Sequence, residues 1–164
     1  MHDNLWAPWR MEFIKDARQG LKESPFIEIL ADSDDRKNLL LYRGELAFVV
    51  LNKYPYTNGH LLIMPNAKKA ELHDLDSAEH AEMLQLTAAA VQILRKVFNA
   101  DGVNCGINLG KAAGAGILDH IHMHVVPRWV GDTNFLPVLS NTRCLPEYLD
   151  ETYQRLHAEF AALK

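Results

Sequence analysis

Several features that would settle the class of this 164-residue chain at once are scarce or missing. It has only two cysteines, Cys105 and Cys144, far apart and without metal-ligand spacing. Such usage suits a reducing compartment, although by sequence alone the two thiols could still pair. No apolar run approaches the roughly 20 residues of a membrane span, so no transmembrane segment is expected. The opening Met1-His2-Asp3-Asn4 is polar and acidic, unlike a secretory signal, and a cytoplasmic protein is expected. There is no basic excess: the net charge is -4, which gives no general attraction to nucleic acid. Phosphates would have to be bound by a local pocket. Internal repeats and low-complexity segments are absent. What remains, 48% hydrophobic and 23% charged residues, is ordinary for one globular domain over 1–164 with a real core.

Strands and one long helix can be placed by pattern. Residues 5–30 are mixed, with Pro8 and Pro25, and predict short helices in an N-terminal extension of about 1–36. Strands are expected at 39–42 and 46–51, joined by the turn signal Arg43-Gly44-Glu45, and again at 60–64 after a loop rich in Pro, Asn and Gly. Asp76-Ser77-Ala78-Glu79 reads as a capping box. From it a helix runs to about Asn99, with Leu84, Val91, Leu94 and Phe98 recurring near the helical period. A strand at 103–109, a Gly-rich loop, a final strand and a helix over 147–163 follow. The sum is an α+β domain, a mainly antiparallel sheet of about five strands around one long helix.

The most informative segment is His120-Ile121-His122-Met123-His124-Val125-Val126-Pro127. In a strand, residues two apart share a face. His120, His122 and His124 would line one face, and Ile121, Met123 and Val125 would enter the core from the other. Imidazole suits nucleophilic and proton-transfer work near neutral pH, its unperturbed pKa being about 6.5. Clustered titratable groups of this kind point to a site more often than to packing.

This segment resembles the His-φ-His-φ-His-φ-φ signature of the histidine triad family, with φ apolar, and the match is complete from His120 to Val126. Upstream, the run from Leu51-Asn52 to Gly59-His60, followed by Leu61-Leu62-Ile63-Met64-Pro65, is similar to the family's strand-loop-strand around a nucleoside pocket. The resemblance covers roughly residues 38–135. Leu5-Trp6-Ala7-Pro8-Trp9-Arg10 and Asn108-Leu109-Gly110-Lys111-Ala112-Ala113-Gly114-Ala115-Gly116 look like its diadenosine tetraphosphate phosphorylase and hydrolase branch. The resemblance implies a HIT-like fold and a nucleotide substrate. It also implies cleavage at the α-phosphate through a nucleotidyl-histidine, with water or phosphate as acceptor, and a homodimer whose sheet continues across the interface.

By the same resemblance His122 is the nucleophile. A neutral imidazole attacks phosphorus without prior deprotonation, and its second nitrogen must donate to a fixed acceptor, in this family a backbone carbonyl. His124 and His60 would hydrogen-bond phosphate oxygens, and His120 would act directly or support the other rings. Asn52 stands where the family binds the ribose hydroxyls, an amide offering both donor and acceptor to a diol; it could equally form a turn at a strand end. Gly110, Gly114 and Gly116 would let backbone N–H groups approach a phosphate, or serve only as a flexible connection. Lys111 would neutralise a polyphosphate or be solvated. Asn108 would hold the α-phosphate or His122, and Trp129 would stack on a base or serve packing or a dimer interface.

Departures narrow the choice. Many relatives carry Cys-x-x-Cys near the start and a His after the second strand, which with another His bind zinc. Here Ser24, Ile27 and Lys68 stand at those places. They are not a zinc set, so no metal is expected and no tightly bound cofactor, with Mg2+ at most carried in by the substrate. Leu109 and Ile117 replace the Gln of fragile-histidine-triad hydrolases and the Ser of nucleoside phosphoramidases. The alternatives left open are a phosphoramidase, a metal-binding protein using the three imidazoles, and a nucleotide-binding adaptor.

Overall fold

The computed structural model describes residues 24–135, 139 and 145–163. The match at Leu5–Arg10, any helix before residue 24, and Cys144 lie outside the described residues. Cys105 is a free, exposed thiol.

Five strands form one antiparallel sheet: β1 Leu40–Arg43, β2 Ala47–Leu51, β3 Leu61–Pro65, β4 Gly102–Ile107 and β5 Met123–Arg128. Their order is β1-β2-β3-β5-β4, so the last strand inserts between β3 and β4. Every residue of β2 and β3 is buried. Continuous apolar runs such as Ala-Phe-Val-Val-Leu are what a strand covered on both faces requires. On one face Val49, Leu51, Leu61, Ile63, Ile121 and Val125 pack against helices α2 Ser77–Phe98 and α3 Leu149–Ala161. On the other, Leu40, Phe48, Val50, Leu62 and Met64 are closed over by Phe26 of the short helix α1, Pro25–Ala31.

The helices begin where the sequence chemistry puts them. The Asp76 carboxylate accepts from the N–H groups of Ala78 and Glu79, and Glu79 reaches back to the N–H of Asp76, the reciprocal box that satisfies orphan donors of the first turn. Asn99 ends α2 in the left-handed region at φ 50°. Ser24 caps α1 and Pro25 occupies its first position. The buried stripe of α2 is Met83, Leu86, Ala90, Ile93 and Leu94. Leu84 is 65% exposed and corrects the expectation that it faces the core. A residue next to Met83 is rotated by about 100°, so Leu84 points to solvent while Val91 and Phe98 lie at the margin of the core. The strand expected over 103–109 ends at Ile107.

Candidate active site

The histidines gather where β3, β5 and the loop before β3 meet. Only His124 lies within β5; His120 and His122 precede it and His60 stands one residue before β3. The expectation that one regular strand carries all three triad residues is therefore corrected. The alternation nonetheless holds through the irregular lead-in: Ile121 and Val125 are in the helix-side core and Met123 packs against it. His124 pairs in register with Leu62 and Gly106. His120 and His122 meet Phe26 on the opposite side of the sheet. A backbone bond and an ion pair hold the lead-in: the Ile121 N–H donates to the Lys69 carbonyl at 2.7 Å, and the Lys68 ammonium pairs with the Asp119 carboxylate.

Hydrogen bonds fix the tautomers. A carbonyl can only accept, so His122 Nδ1, 2.9 Å from the His120 carbonyl, carries the proton. The lone pair of His122 is left on Nε2. His120 Nε2 likewise donates to the Pro65 carbonyl at 2.8 Å, and its Nδ1 accepts from the Ser24 hydroxyl at 3.2 Å. A backbone N–H can only donate, so His60 Nδ1, 3.1 Å from the N of Tyr56, is an acceptor, as it is for the Asn52 amide at 3.2 Å. The proton of His60 then sits on Nε2 and is donated to His124 Nδ1 at 2.9 Å. In the neutral ring this puts the proton of His124 on Nε2. One chain of bonds thus leaves a nucleophilic nitrogen on His122, and the other leaves a donor on His124, with the two rings 5.0 Å apart.

Burial sets the charge state. His60 and His120 are 0% exposed and His122 is 6% exposed. Desolvation pushes the imidazoles of His120 and His122 below their ordinary pKa, against the smaller opposing effect of the carbonyl each one faces. The shift favours the neutral ring, the form a nitrogen nucleophile requires.

Other expected residues fare differently. The Asn52 carbonyl oxygen accepts from the N–H of Tyr54, an Asx turn, while its NH2 steadies His60. In the loop after β4, Gly110 and Gly114 take φ of 76° and 89°, in the region that favours glycine. The N–H groups of Ala113, Gly114 and Ala115 are used within that loop, bonding the carbonyls of Gly110 and Lys111. Asn108 lies against Gly114, Lys111 is exposed and Gly116 is half-buried. The Trp129 indole N–H donates to the Phe98 carbonyl at the end of α2, tying β5 to the long helix. Ile117, at the phosphoramidase Ser position, packs beside the Phe26 cluster.

Three contacts were not found by sequence reasoning: Ser24, Phe26 and Tyr56, whose ring stacks on His124 at 15° and 5.8 Å. Ser24-Pro25 carries a helix-start signal, but nothing in the sequence aims that helix at the histidines. The residues at the zinc positions do not suit a metal: the Ser24 hydroxyl is engaged with His120, the Lys68 ammonium with Asp119, and Ile27 offers no donor atom.

Fold and tautomer pattern together define a histidine-triad protein. Residues 34–130 match the family model described as HIT domain, and the chain belongs to that family. It is 38% identical over 164 aligned residues to an AP-4-A phosphorylase of Mycobacterium tuberculosis (strain CDC 1551 / Oshkosh), covering 96% of this chain and 84% of the relative. It is 32% identical over 93 residues to a bis(5'-nucleosyl)-tetraphosphatase (asymmetrical) of Schizosaccharomyces pombe, covering 57% and 50%. Among solved structures, a Zn-bound histidine triad family protein from Mycobacterium smegmatis superposes with a TM-score of 0.62 at 34% identity, covering 76% of this chain and 85% of that one.

Proposed function

We propose that the protein cleaves dinucleoside polyphosphates, diadenosine tetraphosphate foremost, at the α-phosphate, with inorganic phosphate as the preferred acceptor. The observation that carries this reading is the bond from His122 Nδ1–H to the His120 carbonyl. It leaves Nε2 with its lone pair and stabilises the cation that forms when Nε2 attacks phosphorus. The similarity to the mycobacterial AP-4-A phosphorylase over nearly the whole chain supports the substrate class.

In the first step Nε2 of His122 bonds to the α-phosphorus and the bond to the leaving nucleoside polyphosphate breaks. His124 Nε2–H donates to a phosphate oxygen as charge builds there, with His60 holding that ring from behind. In the second step an oxygen of inorganic phosphate attacks, the N–P bond breaks and ADP leaves; with water the product is AMP. By the family resemblance Asn52 serves the ribose, which requires its amide to exchange its bonds to Tyr54 and His60 for the diol; Asn108 and the side chain of Lys111 serve the phosphates, and Trp129, bonded to the Phe98 carbonyl, takes the packing role. Mg2+ enters only with the substrate, and no structural zinc is needed. A homodimer formed through the exposed edge strand β4 fits the sheet order, and the site of action is the cytoplasm. Turnover of diadenosine tetraphosphate with and without phosphate, with products identified, tests the reading. ADP plus ATP in phosphate is the expected result. AMP plus ATP in both, with no ADP, makes the protein a hydrolase, and no turnover overturns the proposal.

A further inference from the structure

We infer that helix α1 is part of the mount of the nucleophile: Ser24 and Phe26 are positioning residues for His122, acting through His120. The inference rests on the reading of His122 as nucleophile. The Ser24 hydroxyl does two things at once. It accepts from the N–H of Phe26 at 3.3 Å, which caps the helix, and it donates to His120 Nδ1 at 3.2 Å. Capping requires only the first of these. With Nε2 of His120 held by the Pro65 carbonyl, both ring nitrogens of His120 are fixed and the imidazole cannot turn. The backbone carbonyl of the same residue is what accepts from His122 Nδ1–H.

Phe26 adds the spacing. Its ring meets His120 at 5.4 Å and 87°, and His122 at 5.4 Å and 65°. One aromatic edge or face therefore contacts both imidazoles, in the arrangement ring quadrupoles favour. Phe26 also belongs to the apolar cluster over β1, β2 and β3. Its place there explains its burial but not why a helix only seven residues long should meet His120 with its cap residue and both His120 and His122 with the ring of its first turn. The consequence is that the orientation of Nε2 on His122 is set from outside the triad, by a segment about a hundred residues earlier in the chain.

Ser24→Gly isolates the hydroxyl, because glycine is nearly as good an N-cap as serine. Ser24→Thr keeps the hydroxyl and is the rescue. Both are compared in the full chain by steady-state kinetics on diadenosine tetraphosphate with phosphate, and by 15N NMR of the His120 and His122 side chains. Ser24→Gly is expected to lower kcat about tenfold with KM changed less than about twofold, and to move the His120 Nδ1 and His122 Nδ1 resonances, while Ser24→Thr retains both. Wild-type kcat in Ser24→Gly overturns the inference whatever the resonances do. If the unsubstituted protein turns over no diadenosine tetraphosphate, the functional reading has failed on its own. The NMR then decides: a His122 resonance that moves in Ser24→Gly supports the coupling, and one that stays put overturns it.

Discussion

The two sides of the triad are built differently. At the back, Ser24, Phe26, His120 and His122 are all buried, and both nitrogens of His120 and the Nδ1 of His122 are bonded to groups of the protein. At the front, Lys111, Ala112 and Ala113 are exposed and the loop from Gly110 to Ala115 closes on itself with bonds of its own. The difference suits the proposed chemistry. Attack on phosphorus needs one nitrogen in one tautomer and one orientation, and holding it there before substrate arrives lowers the barrier. A leaving polyphosphate and an incoming acceptor need room, and rigid burial on that side would slow exchange.

The sharpest way to break the comparison is to remove the proposed nucleophile. His122→Ala should lower kcat by about 10³-fold or more, since the covalent route is lost, and leave nucleotide affinity within a few-fold. Rapid quenching with mass spectrometry should find a nucleotidyl adduct in the wild type and none in the variant. Near-normal kcat would end the covalent role of His122 and remove the reason for a rigid back.

Two glycines test the contrast through stability. Gly59, which leads into His60, has φ 78°, and a Cβ there would lie 3.0 Å from Phe98 Cε2 and 3.1 Å from Leu94 Cδ2. Gly110 has φ 76° and nothing within 4 Å. Gly59→Ala carries both backbone strain and a clash against α2 and should cost about 2–4 kcal/mol, whereas Gly110→Ala carries strain alone, about 1–2 kcal/mol. Chemical denaturation measures both. Equal losses would show the front loop to be as tightly packed as the wall behind it.

pH separates the two sides next. Burial lowers the pKa of His120 and His122 in the folded protein, so the neutral, reactive form of His122 persists below the ordinary value of about 6.5. The acid limb of kcat/KM should therefore fall below pH 6.5. Because the unfolded chain takes up protons first, stability should decline as pH drops below about 6.5 toward the folded pKa values. Phe26→Ala should move the acid limb upward by admitting water. An acid limb at or above 6.5 in the wild type would show that His122 is solvated and the back is not closed.

Much of this was legible in the residues. The capping box, the five strands and the alternation around Ile121 and Val125 follow from local pattern, because the sheet and α2 obey period and propensity. The tautomers did not follow, since they depend on the Pro65 carbonyl and the Tyr56 N–H, groups every residue possesses and no sequence marks. Nor did the role of Ser24, whose local signal is satisfied by helix capping alone. Leu84 was misplaced because a period near 3.6 lets two adjacent stripes both fit a 22-residue helix, and only the position of the sheet chooses between them.

The smallest expected effect belongs to Lys111. Its side chain is exposed and flanks a loop whose N–H groups at 113–115 already have partners. A charge in such a place draws phosphate through water at high dielectric, and the attraction is screened by salt. Lys111→Ala should therefore raise KM for phosphate about two- to fivefold, leave kcat at saturating phosphate unchanged, and lose most of that difference at about 0.5 M salt, where the screening length is only a few ångström. Initial rates across phosphate and salt concentrations give all three quantities. A kcat loss of tenfold or more that persists in salt would mean the loop closes on the reacting phosphates and desolvates Lys111 there. The front would then be ordered in the complex rather than open, and the contrast between the two sides would hold only for the protein before substrate binds.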